Sequence, residues 1–161
     1  MERYPMTREG LILLENELKK YREERPRIIQ AIDEARGHGD LKENAEYHSA
    51  KERQALVEGQ ISDLEAKISL AMVIDQSEVV TDHIQFGAYV KLVNCDTDEI
   101  KIYHLVGEHE SDINLGKINY KNPLGSKLIN KEVGMVIDLT TPKGLVEYEI
   151  LEIDNKPIIN K

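Results

Sequence analysis

A chain of 161 residues buries one moderate core, or two lean ones if one of them is an elongated hairpin with little interior. Its formal charge of -9, with 32% charged residues, argues against a bare nucleic-acid binder, because neutralising phosphates takes a basic excess. The single cysteine, Cys95, leaves no disulfide framework and no cysteine-based zinc site, which points to the cytoplasm, and no stretch reads as a secretory leader or a membrane span.

From Thr7 onward, Leu11, Leu14, Leu18, Tyr21, Arg25, Ile28, Ile32 and Ala35 recur in alternating steps of three and four, which puts one mainly apolar seam on a helix. Thr7 is placed to cap its start. Pro26 removes a backbone donor inside the run, so a bend is expected there, with the seam back in register at Ile28. Gly37 and Gly39, in Gly-His-Gly, supply the breaker at which the chain reverses. A second run then places Glu43, Tyr47, Ala50, Gln54, Val57, Ile61, Leu64, Ile68 and Ala71 in the same alternation, a partner helix of matching length. The two are predicted to pair antiparallel as a hairpin over 1–75, with its tip at 36–48. About 29 residues at ~1.5 Å each give an arm roughly 40 Å long, more reach than a small core requires.

Between 76 and 86 the periodicity fades and a linker is expected. From 87 to 161 the pattern is strand-like: Ala88 to Asn94, Glu99 to Gly107 and Gly144 to Ile153 are rich in β-branched and aromatic residues. The last of these alternates Val146, Tyr148 and Ile150 with Glu147 and Glu149. Asn94 to Asp98 and Thr141-Pro142-Lys143-Gly144 are turn chemistry, and Pro123 to Lys131 forms one short helix across the sheet. The expected class is α+β, a helical hairpin followed by a sheet domain.

Asp40 and Glu43 stand three apart where the hairpin re-enters a helix, and so share a face. Asp-Leu-Lys-Glu matches a capping box with Asp40 as N-cap. The same two carboxylates are a hard-oxygen pair suited to magnesium, which takes one or two carboxylates, waters and substrate phosphates. Such a pair alone holds the ion weakly, so it makes chemical sense where a second macromolecule supplies the other ligands and the substrate. Arg36, Lys42 and Lys51 flank the tip, as solvated helix positions or as contacts to a phosphate backbone. Asn44 and Tyr47 are read as tip support, Tyr47 because it falls on the seam. His38 and His48 match no zinc spacing. His104 and His109 are expected as a surface pair, and Cys95 as a turn residue without a nucleophile's surroundings. The chain carries no Gly-Lys-Ser/Thr loop, no Gly-x-Ser-x-Gly and no His-Glu-x-x-His, so no autonomous active site is expected.

The run Ala35-Arg36-Gly37-His38-Gly39-Asp40-Leu41-Lys42-Glu43-Asn44-Ala45-Glu46-Tyr47-His48 closely resembles the tip signature of bacterial Gre factors, the transcript cleavage factors. The resemblance continues through Pro5-Met6-Thr7, Leu64-Glu65-Ala66-Lys67, Pro123-Leu124-Gly125 and Val146-Glu147-Tyr148-Glu149-Ile150, and so covers essentially the whole chain. It implies an antiparallel coiled coil that enters the secondary channel of RNA polymerase, and a C-terminal domain of FKBP-like fold, over 87–161, that docks outside it. It also implies that Asp40 and Glu43 help hold a magnesium ion shared with the polymerase site, none being held tightly by the free protein. That ion and a water would act on backtracked RNA near its 3' end, with Arg36 and Lys51 toward the RNA. The factor would then stimulate the polymerase's own hydrolysis without being an enzyme, as a cytoplasmic monomer. A binding-only relative that plugs the channel is the alternative; a prolyl isomerase or chaperone is a third class, against which the sparse aromatics and missing tryptophan speak. Departures from the family pattern are Gly37 for a glutamate, Ser126-Lys127 for an arginine, Asn130 for a glycine and Met135 for an aspartate.

Overall fold

The computed structural model describes residues 3–37, 39 and 44–159. They fall into two units, one built from 3–11 and the chain from 72 onward, the other from 12–71.

A short strand, β1 (Tyr4–Met6), leads through Thr7 into helix α1 (Arg8–Arg36). Thr7 Oγ accepts a hydrogen bond from Gly10 N at 3.1 Å, the cap that the sequence predicts. α1 is one helix through Pro26, and helix α2 (Ala45–Ser69) follows the tip. Within the unit of residues 12–71, Leu14, Leu18, Ile28, Ile32 and Ala35 on α1, with Val57, Ile61 and Leu64 on α2, are buried, and all are seam positions. The register is written in charge. Arg22 bonds Glu65 at 2.8 Å, and Arg25 grips Glu58 with two hydrogen bonds of 2.7 and 2.8 Å. Partner numbers fall on α2 as they rise on α1, so the helices run antiparallel. Arg53 grips Glu24 the same way, at 2.8 Å twice, and its hydrogen bond holds the Glu24 carboxyl below the ordinary value. Arg25, which breaks the seam in sequence, is thus answered from the facing helix. The seam ends sooner than expected, because α2 stops at Ser69 and Ala71 opens strand β2 (Ala71–Val73).

The other unit holds a five-stranded sheet in the order β5-β4-β3-β7-β6. Its strands are β3 (Tyr89–Asn94), β4 (Ile100–Val106), β5 (Lys117–Asn119), β6 (Val136–Thr141) and β7 (Gly144–Asp154). All neighbours are antiparallel except β4 and β5. Cross-strand pairs Val90↔Tyr103, Leu92↔Ile150, Leu105↔Ile118 and Ile137↔Tyr148 put one apolar face together. Helix α3 (Pro123–Leu128) adds Leu124 and Leu128 to it. Asn122 caps α3 by accepting from Leu124 N at 2.7 Å, with Pro123 in the first helical position. Asn130 has φ 69°, a left-handed conformation that glycine takes freely and asparagine tolerates, which accounts for its standing where the family prefers glycine.

Two expectations change here. The segment 76–86 is no spacer: Val79 and Ile84 are buried in the sheet's core. Residues 3–11, counted with the hairpin, belong to the sheet unit. Met6 O accepts from Ile74 N at 3.0 Å, so the entering chain is tied down there.

His104 is not on the surface either. It lies opposite Tyr89 across β3 and β4 and stacks on its ring, with centroids 3.9 Å apart and an interplanar angle of 10°. Its Nε2 is buried with no hydrogen-bond partner. Burial above all pushes its pKa down to about 4, opposed by the Gly87 backbone, with smaller effects of Lys117 downward and Glu9 upward. The unfolded ring binds a proton near pH 6.5 that the folded one refuses. Stability from this group is therefore present above about pH 6.5 and lost as pH falls toward about 4, by about 2–3 kcal/mol. His104→Phe keeps a ring on Tyr89 but does not titrate, and urea unfolding midpoints from about pH 7.5 to 4.5 are expected to slope less in the variant. An unchanged slope would mean that this ring takes up its proton as easily folded as unfolded.

Candidate functional site at the hairpin tip

Asp40 and Glu43, with His38, Lys42 and Leu41, lie outside the described residues. The structure does describe what holds the two ends of their segment. α1 ends at Arg36, and Gly37 N donates to Glu34 O at 3.1 Å as the last turn closes. Gly39 has φ 120°, a backbone region closed to residues with a Cβ, so of the two tip glycines it is the one that the reversal requires. At Gly37 a Cβ would meet only Glu34 O at 3.4 Å, so a side chain there is tolerated, as in family members that carry glutamate.

Asn44 is the principal fixture. Its Nδ2 donates to Ala35 O at 2.6 Å, satisfying a carbonyl of the last turn of α1. Its Oδ1 accepts from Tyr47 N at 3.1 Å, and its own carbonyl accepts from His48 N at 3.1 Å. One side chain therefore links the last turn of α1 to the first turn of α2, on either side of the segment that contains the two acids. This revises the capping box: α2 begins at Ala45 with Asn44 as its N-cap, four residues later than an Asp40 cap would place it. Asn is as good a cap as Asp, so the signal was present in the sequence, but pattern alone does not choose between two caps four residues apart.

Tyr47 is half-buried, on the seam as predicted, with an edge contact to the His48 ring at 5.6 Å. Arg36 is exposed and lies 4.0 Å from Asp33, one turn back, too long and too wet to hold it. Lys51 is exposed and donates to Gln54 at 3.2 Å. Both cations thus stand in solvent on the described flanks of the turn, Arg36 on α1 and Lys51 on α2. Cys95 is exposed in the β3–β4 turn; desolvation, then Glu147, Glu149 and Asp96, raise its thiol pKa, which argues against a nucleophile. Asn44→Ala removes the cap and the tie to Ala35 together, and is expected to cost about 1–2 kcal/mol locally. Amide exchange in the first turn of α2 should quicken by about tenfold, with the turns around Val57 and Ile61 unaffected.

Comparison with known proteins matches the chain in two consecutive parts. Residues 4–73 match the family described as transcription elongation factor, N-terminal, and residues 79–155 the family described as transcription elongation factor, GreA/GreB, C-term. The transcription elongation factor GreA of Beijerinckia indica is 51% identical over 154 residues, covering 95% of this chain and 98% of its own. That of Caulobacter vibrioides is 49% identical over 155 residues, covering 96% and 99%. The crystal structure of Thermus aquaticus Gfh1 aligns at 26% identity over 95% of this chain and 99% of that one, with a TM-score of 0.44. With both halves matched in order and half of all positions identical over nearly the full length, the chain belongs to the GreA/GreB family of transcription elongation factors.

Proposed function

We infer that this elongation factor carries Asp40 and Glu43 through the secondary channel of RNA polymerase to the catalytic site, where they stimulate the polymerase's own cleavage of backtracked RNA. The observation that carries the reading is the way the tip is held. Asn44 bonds Ala35 O before the two acids and Tyr47 N after them, so the segment that bears the carboxylates is held between α1 and α2, with an exposed cation on each helix and a mainly apolar seam behind it. An acid pair meant only for capping needs no such mount.

The donor set suits a hard cation: two carboxylates, too few to bind magnesium tightly alone, leave positions for waters, phosphate oxygens and the partner's own ligands. When shared between the two proteins, the ion supplies stabilisation of the attacking and leaving oxygens of the hydrolysed phosphodiester. This chain's residues do the rest. Asp40 and Glu43 add negative charge and oxygen ligands on one side of the scissile bond and orient the attacking water. Arg36 and Lys51, solvated in the free protein, approach the RNA phosphates near the 3' end and offset the repulsion that two carboxylates meet there. Asn44 keeps the turn from spreading. No group in this scheme turns over independently of the polymerase, so the chain is a cofactor of another enzyme's hydrolysis. The cross-helix pairs are satisfied within one hairpin, which supports a monomer, and action on RNA polymerase would put the protein in the cytoplasm.

Backtracked bacterial elongation complexes with magnesium provide the test. Intact protein is expected to accelerate RNA cleavage, while Asp40→Asn and Glu43→Gln each lose about 100-fold or more of that acceleration and still compete with intact protein for polymerase. Binding without acceleration by the intact protein would sink the cleavage reading and leave a channel plug.

A further inference from the structure

On the cleavage reading the tip supplies little binding energy, because two carboxylates on a chain of net charge -9 are repelled by RNA until an ion stands between. Affinity for polymerase then has to come from groups away from the reacting atoms, and such remote contacts are commonly apolar side chains that the partner buries. The sheet unit presents a pair of them. Between β4 and β5 the chain makes one 3-10 turn, Ile113–Leu115, whose two aliphatic side chains are 67% and 69% exposed. Exposed aliphatics scattered singly are ordinary. These two share one turn, and its backbone is held on all sides. Asp112 O accepts from Leu115 N and from Lys117 N, both at 3.0 Å, and Asp112 N donates to Lys117 O at 2.8 Å. Asp112 Oδ1 accepts from Asn114 N at 3.0 Å, and His104 N on β4 donates to Gly116 O at 2.8 Å. Gly116 closes the turn with φ 72°, where a Cβ would come within 2.9 Å of Ile102 O.

A loose loop loses its freedom on docking, whereas one already held loses little, so its aliphatic contacts convert more fully into affinity. The surroundings indicate what surface answers it. From 107 to 116 the chain has no lysine or arginine, while Glu108 and Asp112 are exposed carboxylates. Lys117, next in the chain, stands 3.7 Å from Oε1 of Glu110, a buried carboxylate that also accepts from Thr7 Oγ at 2.5 Å. That ion pair offsets the one nearby cation. Carboxylates beside the aliphatics disfavour an anionic lipid surface, and the turn has no aromatic residue of the kind that anchors at a bilayer interface. We propose that residues 112–116 are a docking knob, whose Ile113 and Leu115 enter an apolar cleft rimmed by lysine or arginine on RNA polymerase. The proposal rests on the polymerase reading above and concerns affinity, not the chemistry of the tip.

Equilibrium binding of the full chain to stalled bacterial elongation complexes, read without cleavage, tests it. Ile113→Ser and Leu115→Ser are each expected to weaken binding by about tenfold, and the two together by roughly 100-fold, the scale of aliphatic side chains lost from an apolar cleft. Leu115→Met, still apolar and of similar volume, is expected to stay within about threefold of the intact protein. Leu145→Ser removes an aliphatic side chain 59% exposed at the start of β7, and is expected to bind as the intact protein does. Asp112→Asn keeps the acceptor for Asn114 N and removes the charge, so the salt dependence of binding should flatten. Urea midpoints of the serine variants are expected to match the intact protein, since both side chains are exposed in the free chain. Should either unfold early, Ile113→Thr and Leu115→Gln decide. Unchanged affinity in the double variant overturns the proposal, and so does an equal loss in Leu145→Ser. A salt dependence unchanged in Asp112→Asn overturns the cationic rim. Co-sedimentation with phosphatidylglycerol vesicles that the double variant loses, with its polymerase binding intact, overturns the proposal in favour of a lipid surface. An intact protein that binds polymerase without accelerating cleavage overturns the tip chemistry instead, and the affinities still judge the knob.

Discussion

Two helices that share only one apolar stripe on each side need something besides buried area to fix their register, because sliding by one turn puts a similar set of aliphatic side chains together again. Here the register is set by charge. Arg25 with Glu58 and Arg53 with Glu24 are two-pronged, and Arg22 with Glu65 adds a third tie. These side chains are half-exposed, so each pair contributes little to stability. A slip of one turn would nevertheless break all three at once while leaving the apolar overlap nearly intact, and discrimination between registers is what such pairs do well. The fixed register goes with the bond from Asn44 Nδ2 to Ala35 O at 2.6 Å, which ties the end of α1 to the start of α2.

The sheet unit has a different problem, a strand that must turn a corner. Along β7, Tyr148, Ile150 and Ile153 are buried, so the alternation slips by one residue after Ile150. Pairing with β3 passes from Leu92↔Ile150 to Lys91↔Glu152, which leaves Leu151 as the extra residue of a bulge. The bulge lets one strand of eleven residues serve both β3 and β6 and keeps Ile153 on the core face after the slip. Loops then supply what strands this short lack: Val79 and Ile84 close one side of the core and α3 lies across it.

Much of this was legible because it is periodic. The seam residues from Leu14 to Leu64 were assigned by spacing alone, and the buried set agrees with them, since a helix pairing with one partner has only one face to hide. Three strands, the short helix and both turns were readable for the same kind of reason. What escaped is what is short, edge-like or distant in sequence. β5 has three residues and β6 buries only Ile137, so neither leaves a run long enough to count. The bulge did leave a mark, two adjacent apolar residues at Ile150-Leu151 inside an alternating strand. His104 carries no mark at all, because its burial depends on Tyr89 lying opposite it. Thr7 and Glu110 are 103 residues apart, and no local pattern joins them. At the tip the family signature named the acids, while the role of Asn44 needed coordinates, since Asp40 and Asn44 are equally good caps on paper.

The acidic balance of the chain fits the chemistry that its tip would perform. A protein of net charge -9 gains no general attraction to RNA, and on the proposed reading two of its carboxylates would be brought toward a phosphodiester. Such an approach is unfavourable until a cation stands between the carboxylates and the RNA. The tip would therefore add little where a metal cannot be shared, and would add most where one ion is already held and a second lacks ligands. A strongly basic tip would invert this, binding RNA phosphates with or without an ion. Single cations, Arg36 on α1 and Lys51 on α2, would on that reading steer an RNA end without giving a bare phosphate a resting place. Weak intrinsic binding at the tip would then confine the proposed reaction to the complex in which both proteins contribute ligands.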